Sequence, residues 1–86
     1  MKQLIISFKS RNELYSFARF LRTNNIFISI INTPKSIGSS CMLSIKTDFK
    51  NLNLITQILN KIRPKSFLGV YSFVSSVNGN QTFRIL

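Results

Sequence analysis

Ser10-Arg11-Asn12-Glu13 constrains the chain more than any other stretch. A serine followed three residues later by a glutamate is a capping box. The hydroxyl accepts the amide of the third residue, and the carboxylate reaches back to the serine amide. A helix therefore starts here. Leu14, Phe17, Ala18 and Leu21 follow at i, i+3, i+4 and i+7, which gives it one apolar stripe for a core, with Arg19 and Arg22 outside it. It is expected over 11–24, with Asn24-Asn25 supplying a left-handed stop. What precedes it reads as a strand. In residues 2–9, Leu4, Ile6 and Phe8 share one face, and Gln3, Ile5, Ser7 and Lys9 the other.

The rest of the chain continues the alternation of periods. Residues 26–32 are rich in β-branched side chains and read as a second strand, which Thr33-Pro34 ends because proline removes a ladder donor. A loop over 33–40 follows, longer than a tight hairpin. Residues 41–47 return as a third strand, with Leu43 and Ile45 inward and Ser44 and Lys46 outward. Asp48 caps a second helix over 49–62, whose apolar face is Leu52, Ile55, Ile58, Leu59 and Ile62. Lys61 and Arg63 suit its C-terminal end, and Pro64 stops it. The fourth strand, 67–77, is apolar on both faces: Phe67, Tyr71 and Phe73 on one, Leu68, Val70 and Val74 on the other. Asn78-Gly79 is a strong hairpin signal, so 81–86 folds back as a fifth strand. The order β-α-β-β-α-β with a terminal hairpin is that of an α+β, ferredoxin-like split βαβ sandwich.

Eighty-six residues suffice for one domain, here 1–86, with a core over about 2–71 and the hairpin strand over about 72–86. Twelve Lys and Arg face only Glu13 and Asp48, a net charge of +10 that suits an anionic partner. No apolar run approaches the ~20 residues of a membrane span, and none resembles a signal peptide, so a cytoplasmic protein without membrane contact is expected. One cysteine and no histidine leave no internal disulfide and no zinc site, and no cofactor is expected.

That cysteine, Cys41, ends the loop PKSIGSS, with Lys35 before it and Lys46 after it. In a split βαβ fold the loop lies where strand one ends and helix one begins, and where helix two ends. Lys9, Arg11, Lys35, Arg63 and Lys65 then converge on the thiol, together with the positive end of a helix dipole. Such surroundings favour a thiolate, the nucleophilic form. Gly38, Ser39 and Ser40 let the backbone turn and offer amides and hydroxyls to an anion. Nothing supplies a general base, because there is no histidine and both acids are better explained as helix-start residues; a self-contained hydrolase is not expected on that ground. The alternative for Cys41 is a buried, inert small hydrophobe.

The succession of strand, Ser-x-x-Glu helix, strand and then Thr33-Pro34-Lys35-x-Ile37-x-Ser39-Ser40-Cys41 resembles the Se/S carrier-like family of small bacterial proteins. That family's pattern sets a proline, a basic residue and an aliphatic residue ahead of Ser/Ala-x-Cys-Gly and a strand. The resemblance covers about residues 2–71. Met42 stands where the pattern has glycine, and the tail from Ser72 lies beyond it. It implies that Cys41 carries sulfur or selenium between donor and acceptor proteins, with Pro34, Lys35, Ile37 and Ser40 as its motif neighbours.

A second reading is a basic nucleic-acid-binding module, since RNA-recognition domains share the ferredoxin-like plan and +10 suits phosphates. Those domains stack bases on aromatics of the two central strands. Here the third strand has none, and Phe8 on the first faces with Leu4 and Ile6. A third reading is an adaptor for an acidic protein. The two apolar faces of the fourth strand also suit a homo-oligomer formed through the hairpin.

Overall fold

In the computed structural model, which describes residues 2–34, 37, 43–76 and 79–85 (for 75, 76 and 79–81 the backbone only), β1 (Lys2–Phe8) leads straight into the cap of α1 (Arg11–Thr23). β2 (Ile28–Asn32), β3 (Leu43–Asp48), α2 (Leu52–Ile62), β4 (Phe67–Ser76) and β5 (Gly79–Arg84) follow. The fold is α+β: one five-stranded sheet in the order β2-β3-β1-β4-β5 and two helices. Every neighbouring pair of strands is antiparallel. β1 is central, with Ile5 opposite Lys46 of β3 and Tyr71 of β4.

Both helices cover the same face of the sheet. Leu4, Ile6 and Phe8 of β1, Ile45 of β3 and Val70 of β4 pack with Leu14, Phe17, Ala18 and Leu21 of α1 and Ile55, Ile58 and Leu59 of α2. Burying each large aliphatic side chain contributes about 1.5–3 kcal/mol, so this one layer carries most of the stability. Ile62 was expected in the α2 stripe, but at the helix end it is 46% exposed.

The capping box forms only in part. Ser10 Oγ accepts the Glu13 amide at 3.3 Å. The Glu13 carboxylate does not turn back to Ser10; it accepts the Ser66 amide at 2.6 Å and the Lys65 amide at 3.0 Å. Two amides of the α2–β4 turn outcompete one local amide, and α1 is thereby clasped to that turn. The other end of α1 closes in a Schellman motif. Asn25 takes a left-handed φ of 62°, its amide bonds Arg22 O, and the Ile26 amide bonds Leu21 O, with Ile26 and Leu21 both in the core. Ile26 therefore belongs to the helix stop, and β2 begins two residues later than the β-branched run indicates.

The second helix also starts differently. Asp48 Oδ1 accepts the Lys50 amide at 2.9 Å and caps a 3-10 turn, Phe49–Asn51, from which α2 continues. Arg63 ends α2 with φ 50°, a left-handed conformation that is costly for a side chain with a Cβ. On β4, Phe67 does not share the face of Tyr71 and Phe73. The β1–β4 register shifts between Ser7 and Phe8, so Phe67 lies opposite Phe8, their rings 6.1 Å apart, while Tyr71 and Phe73 stay on the helix-free face. Among the described residues, β5 runs from Gly79 rather than from residue 81. Residues 77 and 78, with Asn78 of the expected turn, lie outside the described residues.

Candidate functional site

The last pair of the β2–β3 ladder, Asn32 with Leu43, fixes both roots of the loop that carries the cysteine. Thr33 Oγ1 and Ser44 Oγ lie 2.6 Å apart across those roots, and the Ile37 amide donates to Pro34 O at 3.0 Å. Ser44 is fully buried, so this hydroxyl pair replaces water that the serine no longer meets. Pro34 and Ile37 are half-buried. Cys41, Lys35, Gly38, Ser39 and Ser40 lie outside the described residues.

The register shows what else stands at this end of the sheet. Ser7 pairs with Ser44, so β1 finishes beside the loop roots, and α1 begins there. Lys9 and Arg11 flank that beginning and are exposed. The Lys9 amide donates to Ser66 O at 2.8 Å, which joins the end of β1 to the α2–β4 turn. Lys9, Arg11 and the Lys65 segment thus meet at the N-terminal end of α1, where the helix dipole adds positive character. Arg63 Nε donates to Asn60 O at 3.2 Å, back along α2.

The acid among these cations is engaged. The Ser66 hydroxyl beside it and then the Ser66 amide hold Glu13 below the ordinary carboxylate value; burial opposes them, and the amide and charge of Lys65 add lesser lowering effects. Ser66 Oγ is itself buried and has no well-aligned partner among the described residues; the Glu13 carboxylate is the acceptor within its reach. Among the described residues no group of three or more His, Cys, Asp or Glu is placed to hold a metal ion.

The end of the sheet near the start of β2, where α1 stops and the turn into α2 begins, holds a second arrangement that the spacing of residues did not indicate. Phe27 is 89% exposed. It lines a cleft of about 420 Å³ with Gln3, Asn25, Ser29, Lys46, Lys50 and Asn51 among others. Its backbone is held on both sides, by the Ile26 amide bond to Leu21 O and by Thr47 Oγ1, which donates to Phe27 O at 2.7 Å. Asn51 Nδ2 in turn donates to Thr47 Oγ1 at 3.0 Å. The available signal was the Asn24-Asn25 stop: a Schellman motif buries the residue after the left-handed one, Ile26, and turns the next one outward.

This is a small basic α+β chain whose one cysteine, Cys41, falls in sequence between β2 and β3. It belongs to the family described as "Putative Se/S carrier protein-like", whose model matches residues 3–70. A curated protein, the flagellum-specific ATP synthase of Buchnera aphidicola, is 28% identical over 68 residues, 74% of this chain. The chain spans about 15% of that protein's length. No solved structure matches. No helix among the described residues is long and apolar enough to cross a membrane.

Proposed function

We propose that the chain is a carrier of sulfur or selenium, with the Cys41 thiol as the point of attachment. The observation that carries this reading is the family membership over residues 3–70, a span that includes the chain's one cysteine. The placement of the loop roots supports it, because they stand beside the N-terminal end of α1 with Lys9 and Arg11. The four strands β2-β3-β1-β4, which we read as the ferredoxin-like split βαβ unit with β5 added at one edge, give that juxtaposition its physical origin.

In the proposed step the Cys41 thiolate attacks the outer sulfur of a donor protein's persulfide. The donor's sulfur–sulfur bond breaks, the donor thiolate leaves, and Cys41 holds the persulfide. A nucleophile on the acceptor then takes the outer sulfur and Cys41 leaves as thiolate. Selenium follows the same path. Neither step needs an outside oxidant or reductant, and both favour a cysteine of low pKa, as attacking and as leaving group. Lys35 and Arg11 are assigned to the thiolate, assisted by Lys9, and Gly38, Ser39 and Ser40 to amide and hydroxyl contacts with the bound atom.

The test is the rate of Cys41 alkylation against pH, in native and denatured protein, at low and high salt. A native midpoint well below the ~8.5 of a free cysteine, rising with salt, supports the carrier. Incubation with a persulfide donor then adds one sulfur by mass to the native chain and none to Cys41→Ser. A thiol protected at every pH and reactive only after denaturation refutes the reading.

A further inference from the structure

We propose that the Phe27 cleft and the helix-free sheet face that continues from it bind single-stranded nucleic acid. The antiparallel register sets two rows of side chains across this face. Ser29, Lys46, Ile5, Tyr71 and Arg84 form one row, from β2 through β3, β1 and β4 to β5, with Ile5 buried at its centre and Ser29 and Arg84 exposed at its ends. Asp48, Gln3 and Phe73 form the next, with Phe27 beyond Asp48 at the β2 edge. Aromatic rings therefore stand at both sides of the face, Phe27 at one and Phe73 and Tyr71 at the other. At ~4.8 Å per strand they are about 14 Å apart, a span on the scale of the two or three bases that sheet-face RNA binders stack.

The chemistry around the rings selects the ligand. Arg22, Lys46 and Lys50 surround Phe27. The Arg84 guanidinium lies 5.9 Å from the Tyr71 ring centre and donates through Nη2 to Leu68 O at 3.0 Å. The acid on the cleft, Asp48, has Oδ1 committed to the Lys50 amide. Cations next to an exposed ring on a backbone held by hydrogen bonds suit alternating phosphates and bases. The Gln3 and Asn25 side chains, which line the same cleft, bring amide donors and acceptors. An acidic peptide would use the cations and leave the ring and the amides without a role. The aromatics, which RNA-recognition domains carry on their two central strands, stand here on β4 and at the start of β2. The cleft lies at the opposite end of β2 from the cysteine loop, so this proposal does not depend on the carrier reading.

The experiment is fluorescence anisotropy with labelled oligomers of about ten nucleotides: uridine RNA, thymidine DNA and a duplex of equal length, titrated with the full chain at several salt concentrations. Phe27→Ala weakens both single strands roughly five- to hundredfold and leaves duplex binding unchanged. Lys46→Ala with Lys50→Ala lowers the log–log salt slope for single strands by about 1.4. Phe83→Ala is the control, an exposed ring (59%) opposite Ser72 on the other face, and it changes nothing. Cys41→Ser binds as the parent does, so loss of the carrier reading leaves this result standing. Equal affinity for RNA and DNA assigns recognition to bases and phosphates; a preference for RNA adds the 2′-hydroxyl. An unchanged Phe27→Ala, an equal loss on the duplex, or polyglutamate bound more tightly than either single strand overturns the proposal.

Discussion

Replacing Phe8 and Phe27 by alanine separates what one residue type does in two places. Phe8 is 1% exposed at the end of β1, its ring 5.3 Å from that of Phe17 and 6.1 Å from that of Phe67. Removing a ring so buried costs about 3–5 kcal/mol through lost transfer energy and the cavity left behind. At 0.05–0.15 kcal/mol per residue the whole chain has about 4–13 kcal/mol, so Phe8→Ala removes a large share of it. Phe8→Leu keeps most of the volume and loses chiefly the two ring contacts, about 0.5–1.5 kcal/mol each. Phe27→Ala, at 89% exposure, stays within about 0.5 kcal/mol of the parent. Urea unfolding followed by far-UV circular dichroism and tyrosine fluorescence reads all three. With a slope of about 1–1.5 kcal/mol/M, Phe8→Ala lowers the midpoint by about 2–5 M, or leaves the chain unfolded without denaturant. Phe8→Leu lowers it by about 0.7–3 M, and Phe27→Ala moves it by at most about 0.5 M. A Phe8→Ala loss below about 1 kcal/mol, or one matched by Phe27→Ala, would refute the assignment of Phe8 to the core.

Three further outcomes are expected. Glu13→Gln lowers stability near neutral pH; because the folded pKa lies below the ordinary value of 4.5, the contribution is full above that value and disappears as pH falls through the lowered one, so melting curves of the two proteins converge in acid. Parallel curves at every pH would mean that the carboxylate charge contributes nothing. Arg63→Gly relieves a left-handed φ of 50° and raises stability by about 0.5–1 kcal/mol in chemical denaturation; a decrease would show that the Arg63–Asn60 contact outweighs the backbone cost. A double-mutant cycle of Thr33→Val and Ser44→Ala gives a coupling of about 1 kcal/mol from the hydroxyl pair at the loop roots, and a coupling near zero would mean that the two groups are independent.

The elements themselves were legible because each rests on local chemistry. The Ser10 cap, the α1 stripe and the Asn25 stop involve partners within five residues, and the structure has all three. What local spacing did not reveal was competition from afar. Glu13 fits a capping box by sequence, yet its acceptors are filled by amides 52 and 53 residues away. Phe67 matches Tyr71 in parity, but a register shift against β1 moves it to the helix side. Ile26 looks like a strand residue, and the helix stop claims it. The positions of the loop roots followed from strand order alone, so the end of the sheet to which Cys41 is tethered was readable, while its immediate surroundings depend on residues outside those described. The Phe27 surface was hidden for another reason: a lone phenylalanine between isoleucines reads as core by hydrophobicity, and only the geometry of the stop turns it outward.

The central position of β1 has a consequence for how the chain assembles during synthesis. β1 is made before both of its partners; Lys2 pairs with Val74, which emerges 66 residues after Phe8. At about 5–20 residues per second, roughly 3–13 s pass in which a strand with Leu4, Ile5, Ile6 and Phe8 has at least one unpaired edge. During that interval α1 is its nearest cover, and the Glu13 clasp cannot close until Lys65 and Ser66 have been added. The carboxylate thus acts as a late latch, engaged only when the turn that delivers β4 has arrived.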